Sequence, residues 1–250
     1  MDSLKEPSFP PDNSIKRKLK KVPAYLFGNF PFNIESFDYD KYWEILSHEN
    51  RPLTPLSKLK QFEELVDSGS NVLDIGCGEG DLLDYLCKTK HINAYGIEYG
   101  EKAVEKARAR GIKVQVADIS QPDFNIQDDY DYIILSEVIE HLAKPEELLL
   151  KLKGKFNKSL LITIPNTGFI TERLRLLFGR FPKQWVINPS EHLRFWTVPD
   201  FKFWCDQLGY TVEKYYGLKD EYYDIRIKIW KYYPRLLSRF MLYKVIEKTR

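Results

Sequence analysis

The stretch NVLDIGCGEGD (71–81) passes from a short apolar run into three alternating glycines, Gly76, Gly78 and Gly80, and then into an acidic residue where a helix would begin. A strand that ends in glycines and turns straight into a helix is the opening unit of an open α/β sheet. Glycine permits the tight turn and lets the backbone come close to a bound molecule. The chain beyond repeats the alternation. DLLDYLCK (81–88), KAVEKARAR (102–110) and PEELLLKLKG (145–154) read as helices, and NAYGIEY (93–99), KVQVAD (113–118), YDYIILS (130–136) and SLLITIP (159–165) read as strands. Strands joined by helices of this length run parallel, since each crossover returns the chain to the same end of the sheet. The expectation is a doubly wound, Rossmann-like α/β fold with helices on both faces, and with ligands bound beyond the carboxyl ends of the strands.

Upstream, FDYDKYWEIL (37–46), a proline-interrupted RPLTP (51–55) and LSKLKQFEELV (56–66) predict two helices joined by a turn. Residues 1–23 carry Pro7, Pro10 and Pro11 among polar side chains and then Lys16, Arg17, Lys18, Lys20 and Lys21, which predicts a flexible basic arm. With 38 Lys+Arg against 36 Asp+Glu the net charge is only +2, yet the charge is segregated. The basic residues gather near the two ends, where peripheral contact with an anionic lipid surface or a phosphate-bearing substrate is one expectation and plain solvation the other. They are not interleaved with aromatics in the manner of a recognition module, which argues against nucleic acid as the partner.

Three cysteines without a CxxC pair support neither a disulfide framework nor a zinc knuckle. No apolar run approaches the roughly 20 residues of a spanning helix, and the charged, proline-rich start lacks the apolar core of a signal peptide. A cytoplasmic protein is the expectation.

The residues to examine lie just after each strand. Asp74, Glu79 and Asp81 surround the glycine turn, and Asp81 stands where a dinucleotide fingerprint would have its third glycine. Several negative charges would repel a pyrophosphate, whereas a ligand with an amino group and a sulfonium is attracted by them. The sign of the charge therefore favours S-adenosyl-L-methionine over NAD. Glu98, about twenty residues beyond the turn, is placed to accept hydrogen bonds from both ribose hydroxyls. Asp118, after the third strand, is placed to accept from an adenine amino group.

The series VLDIGCGEG, YGIEYG, VADIS and YDYIILSEVIEHL resembles the motif set of class I S-adenosylmethionine-dependent methyltransferases over about residues 70–165. With IPNTGFITERLRLLFGRFP and HLRFWTVPDFKFWCDQLGY, the likeness extends over about 70–217 to the MetW family and to general metabolite methyltransferases. The resemblance implies a seven-stranded sheet, mostly parallel with one antiparallel strand, for which YTVEKYY (210–216) and FMLYKVIEK (240–248) are the candidate final pair. It implies one methyltransferase domain over 24–250, with the cofactor half at about 70–165 and acceptor or lid elements at 24–66 and 166–236. It also implies that Asp74, Gly76, Cys77 and Gly78 shape the methionine side, Glu98 and Tyr99 the ribose, and Ile97, Asp118 and Ile119 the adenine, with Ser136 at the end of strand four. The chain departs from MetW in its longer segment before the first strand and its aromatic, basic continuation past Leu218. Lys41 to Glu44 (KYWE) resembles a segment of methyltransferases that tailor sugars, so the acceptor is expected to be a small metabolite or a glycan-precursor sugar, methylated on oxygen or nitrogen. The alternative implied by MetW is a cofactor-binding partner of a biosynthetic acyltransferase.

Two histidines, His141 and His192, are the candidate general bases, because imidazole can take a proton as the methyl group arrives. Glu137, Glu140 and His141 form ExxEH, and with His192 they make a possible four-ligand set for a divalent metal, which would lower the pKa of acceptor hydroxyls. ExxEH with a later histidine also resembles the metal-dependent small-RNA 2′-O-methyltransferases, a further alternative. Tyr39, Tyr42, Trp43, Phe195 and Trp196 are candidate lid or platform rings.

Overall fold

The computed structural model describes residues 26–27, 54–184, 189–218 and 232–248. The expected arm over 1–23, the first upstream helix and the lid candidates Tyr39, Tyr42 and Trp43 lie outside these residues. Helix α1 (Leu56–Glu63) precedes β1 (Asn71–Ile75), and then come α2 (Asp81–Lys90), β2 (Asn93–Glu98), α3 (Glu101–Ala109), β3 (Lys113–Val116) and β4 (Tyr130–Ser136). The chain continues through α4 (Pro145–Lys151), β5 (Phe156–Pro165), α5 (Ile170–Leu177), α6 (Val198–Gln207), β6 (Tyr210–Leu218), α7 (Pro234–Leu237) and β7 (Phe240–Glu247).

The seven strands form one sheet in the order β3-β2-β1-β4-β5-β7-β6. β7 runs antiparallel to β5 and β6, and the other pairs are parallel. This is the mostly parallel, seven-stranded arrangement expected from the sequence, with the last pair where the two candidate segments lie.

Strand periodicity divides the core into two layers. Leu73, Ile75, Ile133, Leu135, Leu160, Ile162 and Ile164 face Leu148, Leu149, Phe201 and Cys205 of α4 and α6. Their neighbours Val72, Tyr132, Ile134 and Leu161 face Phe62, Leu82, Leu83, Leu86, Val104 and Ala107 of α1, α2 and α3. Successive strand residues point to opposite faces, so helices on both sides are needed to cover these near-continuous apolar strands. The chain order reverses between β1 and β4, which opens a crevice at the carboxyl ends of these two strands. The glycine turn and the ExxEH segment meet in that crevice.

Among the described residues, no helix is long and apolar enough to cross a membrane.

Candidate functional site

The turn after β1 is held in the left-handed region, with φ of 75° at Gly76, 54° at Gly78 and 78° at Gly80. A Cβ at Gly76 would lie 2.6 Å from Cγ2 of Val138, so the turn is pressed against the chain leaving β4. Only glycine satisfies both the dihedral and the space. The turn is tied to β2 by Gly76 N–H donating to Ile97 O at 2.7 Å and Gly78 N–H donating to Glu98 Oε2 at 2.9 Å.

Glu98 is buried and its other oxygen accepts from the backbone N–H groups of Tyr99 and Gly100 at 2.8 and 2.9 Å. Its carboxylate therefore sits fixed at the end of β2, beside the turn. Asp74 is buried as well, and its Oδ1 has no hydrogen-bond partner among the described residues. Burial pushes its carboxyl up to about 8, against the opposing pull of Lys58, while the Glu98 charge adds to the rise. An unmatched buried carboxylate is costly, and it is relieved by a cation or a donor arriving in the crevice.

The charges around the turn divide differently from the sequence expectation. Glu79 pairs with Lys106 of α3 at 2.5 Å and Asp81 with Arg110 at 2.7 Å. Both are turned to neighbouring cations, which removes them from the argument about ligand charge and leaves it resting on Asp74 and Glu98. The third strand ends at Val116, two residues before Asp118. Asp118 accepts at Oδ1 from Ser120 N–H and Oγ, at 2.9 and 2.6 Å, and at Oδ2 from Gln121 Nε2 at 2.6 Å. These bonds hold its carboxyl below the usual range, the Ser120 hydroxyl contributing most. Its first job is to shape the loop, and an adenine amino group would have to share its oxygens.

Cys77 is buried and its thiol is pushed up by burial, so it stays protonated and packs beside Gly96. Tyr99 is exposed, and Ile119 packs against the α4/α6 side of the core. Ser136 Oγ accepts from Thr163 Oγ1 of β5 at 3.3 Å.

Beyond β4 the chain makes an unusual turn. Glu137 has φ of 57°, a left-handed conformation that a long side chain adopts only when its surroundings impose it. Here its N–H donates to both Thr163 O and Thr163 Oγ1 at 3.1 Å. The turn then runs into a short 3₁₀ helix, Ile139–His141. Glu140 is fully buried, and neither carboxylate oxygen has a hydrogen-bond partner among the described residues. Burial first and the Glu137 charge second raise its carboxyl well above the ordinary value.

The segment around His192 folds back onto this turn. Leu193 N–H and Arg194 N–H both donate to Glu140 O, at 2.8 and 3.1 Å, and His141 Nδ1 lies 2.6 Å from Glu191 O. A carbonyl can only accept, so Nδ1 carries the proton and Nε2 of His141 is left as an acceptor. His192 packs edge-on to His141 with ring centroids 4.7 Å apart, and its Nδ1 has no partner among the described residues. Burial pushes His192 down to about 3 and lowers His141, so both imidazoles are neutral near pH 7. The sequence expectation of a histidine titrating near neutrality does not describe His192 in this packing. Its free nitrogen is a weak proton acceptor and a good ligand atom.

Of the four residues considered for a metal, Glu140, His141 and His192 bring ligand atoms within 4.8 Å of one another. The fourth, Glu137, faces Lys58 instead, with 3.6 Å between Nζ and Oε1. The donor set suits a divalent ion, because an orphaned buried carboxylate and two neutral imidazoles are what such an ion requires. The carbonyl bond to His141 Nδ1 is the outer contact that commonly fixes a metal-binding tautomer.

Two outcomes lay beyond the sequence. Lys58 of α1 joins the crevice, although its segment reads as an ordinary amphipathic helix with no site motif. Trp196, a lid candidate, is buried against Phe201 and Trp204, with centroids at 5.9 and 5.1 Å, and is part of the core. Phe195 remains partly exposed against Phe181, at 5.3 Å.

Comparison with known proteins agrees with this architecture. The family model described as "Methionine biosynthesis protein MetW" matches residues 57–245. A bifunctional methionine biosynthesis protein MetXA/MetW of Rhodopirellula baltica is 29% identical over 172 residues, covering 60% of this chain and 26% of that protein. A ubiquinone biosynthesis O-methyltransferase of Neisseria meningitidis is 27% identical over 122 residues, 44% of this chain and 50% of that protein. The chain thus spans half or less of the length of these two curated relatives. The solved structure of a SAM-dependent methyltransferase from Archaeoglobus fulgidus superposes with a TM-score of 0.57 at 19% identity, over 84% of this chain and all of that one.

Proposed function

The chain belongs to the MetW family, has the fold of S-adenosylmethionine-dependent methyltransferases, and we propose that it is itself such an enzyme, moving the methyl group to an oxygen or nitrogen of a small metabolite or a glycan-precursor sugar. The observation that carries this reading is the pair of buried carboxylates at the ends of adjacent strands, Asp74 and Glu98, flanking a left-handed glycine turn. Asp74, Gly76, Cys77 and Gly78 would border the methionine end, Glu98 and Tyr99 the ribose, Asp118 and Ile119 the adenine, and Ser136 the floor near β4. The sulfonium already activates the methyl group, so the chief demands on the protein are in-line alignment and exclusion of water. His141 and His192 border the acceptor side, His192 as hydrogen-bond acceptor for an incoming hydroxyl or amine.

Incubation with methyl-labelled cofactor and fractionated cell extract tests the proposal. Label is expected in small molecules or sugar precursors. Label confined to RNA, or to no fraction at all, overturns the acceptor class. Co-purification with an acyltransferase and no transfer to any fraction would favour the partner reading, which the joining of MetXA and MetW in the Rhodopirellula relative supports.

One observation favours a metal-assisted form of the reaction: the wholly buried, unpartnered carboxylate of Glu140 beside two neutral imidazoles. Glu140, His141 and His192 would hold the ion. A divalent cation there would supply polarisation of an acceptor hydroxyl and lower its pKa. EDTA is then expected to abolish transfer and added Mn²⁺ or Mg²⁺ to restore it. Full activity in chelator ends this form while leaving the methyl transfer standing.

A further inference from the structure

The crest of the sheet divides by chemistry on either side of the two histidines. Toward β1 and β2 it holds buried carboxylate oxygens with no hydrogen-bond donor among the described residues, those of Asp74, Glu137 and Glu140. At the carboxyl end of β5 it holds donors that want acceptors. Arg239 stands there because the next residue, Phe240, pairs with Pro165 in the last rung between β5 and β7, and because Asn166 N–H donates to Arg239 O at 2.7 Å. Its Nη2 donates to Lys183 O at 3.4 Å, and no carboxylate pairs with the guanidinium among the described residues. A guanidinium has five N–H groups and can only donate, so one long bond leaves most of its capacity unused.

Gln184, next to Lys183 in the chain, is the second such donor. It is 7% exposed, and its Oε1 accepts from Thr167 Oγ1 at 3.1 Å, which turns the amide nitrogen away from Thr167. That Nε2 has no partner among the described residues. A buried amide nitrogen without an acceptor is costly and uncommon in a folded protein, and a ligand oxygen would complete it. Thr167 N–H also donates to Trp196 O at 3.0 Å, so the stretch that seats Arg239 and Gln184 is the one that holds the returning His192 segment. Charge points the same way. Burial first and the Arg239 charge second lower the Lys183 ammonium below its ordinary value, with Arg175 adding to the effect and Glu191 and Glu172 opposing it. The Arg239 charge reaches His192 as well, after burial and His141.

We infer that this end of the crest is an anion subsite for the acceptor: Arg239 and the Gln184 amide receive a phosphate group of the molecule to be methylated and so present its oxygen or nitrogen to His192. The inference rests on the methyl-transfer reading above and narrows its acceptor to one that carries phosphate. Arginine suits the role, since its planar fork meets two phosphate oxygens at once, which leaves a third for the amide nitrogen. A neutral hydroxyl could satisfy Gln184 but would leave the Arg239 charge unanswered. The division of the crest also sorts the two ligands, because the sulfonium cofactor meets the acids and an anionic acceptor the cations, with the imidazoles between them.

Inorganic pyrophosphate probes the subsite directly, by calorimetry on protein saturated with S-adenosylhomocysteine. The wild type is expected to bind it, and to bind acetate more weakly. Arg239→Met is expected to weaken pyrophosphate roughly 10- to 100-fold, the range for losing a hydrogen bond between charged groups, and Gln184→Leu by a smaller factor. Arg239→Lys is expected to keep part of the affinity, and all three variants to keep that for S-adenosylhomocysteine. No pyrophosphate binding by the wild type, acetate bound as tightly, undiminished binding in Arg239→Met, or equal loss of S-adenosylhomocysteine in that variant overturns the inference, the last outcome showing a merely structural role. In the labelled extract, the methylated product is expected to be retained by an anion exchanger and released by phosphatase, alone for a phosphate monoester or after nucleotide pyrophosphatase for a nucleotide-linked sugar. A neutral labelled product, or one whose charge only ribonuclease removes, overturns the subsite while leaving methyl transfer standing. Absence of label from every fraction defeats the methyl-transfer reading and this assignment with it, a result distinct from loss of pyrophosphate binding.

Discussion

Asp74 is the residue on which ligand charge and protonation meet. Its folded value of about 8 lies above the ordinary 3.8, because burial disfavours the charged form. A raised carboxyl contributes stability that is complete below the unfolded value and is lost as pH rises through the folded one. The cofactor-free protein should therefore lose stability between about pH 4 and pH 8, by up to about 1.4 kcal/mol per pH unit from this group. Urea denaturation at several pH values should show this slope in the wild type and a shallower one in Asp74→Asn. A cationic ligand reverses the preference, since it favours ionised Asp74. Affinity for S-adenosylmethionine is accordingly expected to rise with pH up to about 8, with proton release visible as a buffer-dependent binding enthalpy. Gly76 sets a second expectation at this scale. Gly76→Ala must place a Cβ 2.6 Å from Val138 Cγ2 at φ of 75°, costing about 1–2 kcal/mol in backbone strain and a further 1–3 kcal/mol in overpacking. The midpoint of unfolding should fall and cofactor binding weaken together.

At the scale of elements, the strands and helices between β1 and β5 were legible because each carries its own period and its own stop. Asp81 opens α2 directly after glycine, and Pro145 opens α4. The carboxyl ends of β1 and β2 could be read to within a residue, so Asp74 and Glu98 stand at the strand ends where the sequence put them. The third strand could not, because the VADIS segment continues the apolar texture beyond Val116 while Asp118 bends the chain through its bonds to Ser120. Lys58 was invisible for a different reason: a lysine on an amphipathic helix carries no sign of which carboxylates the fold will bring to it. The meeting of Glu140 with His192 was legible only as a possibility, since its partners are far apart in sequence and are brought together by backbone bonds from Leu193 and Arg194 to Glu140 O. The anchor of that returning segment is α6. Thr197 caps it, Oγ1 accepting from Asp200 N–H at 3.5 Å and donating to Asp200 Oδ2 at 2.6 Å. Trp204 Nε1 donates to Glu146 Oε1 of α4 at 2.9 Å. Thr197→Ala should cost about 0.5–2 kcal/mol of stability. Because the cap lies five residues after His192 and makes its side-chain bonds to Asp200, turnover should drop more than cofactor affinity, a split that steady-state kinetics and calorimetry can resolve.

For the whole molecule, the arrangement has a consequence for stability and ligand choice. Two apolar layers hold the sheet, while the crest between β1 and β4 gathers Asp74, Glu98 and Glu140, all buried, with Glu137 paired to Lys58. The unmatched oxygens of Asp74 and Glu140 oppose folding until a ligand answers them, so the folded state should be reinforced by the molecule for which the crest is built. At one hundred times its dissociation constant such a ligand adds about 2.7 kcal/mol. For a chain of this size that is roughly 5–11 °C in melting temperature. S-adenosylmethionine and S-adenosylhomocysteine are both expected to raise the melting temperature on this scale, and NAD is expected to leave it unchanged, because its diphosphate would face the acids Asp74 and Glu98 at the glycine turn. A thermal scan in which NAD stabilises the protein and the two thio-nucleosides do not would reverse the charge argument at its root, since a diphosphate would then be accepted beside Asp74 and Glu98 where a cationic ligand is not.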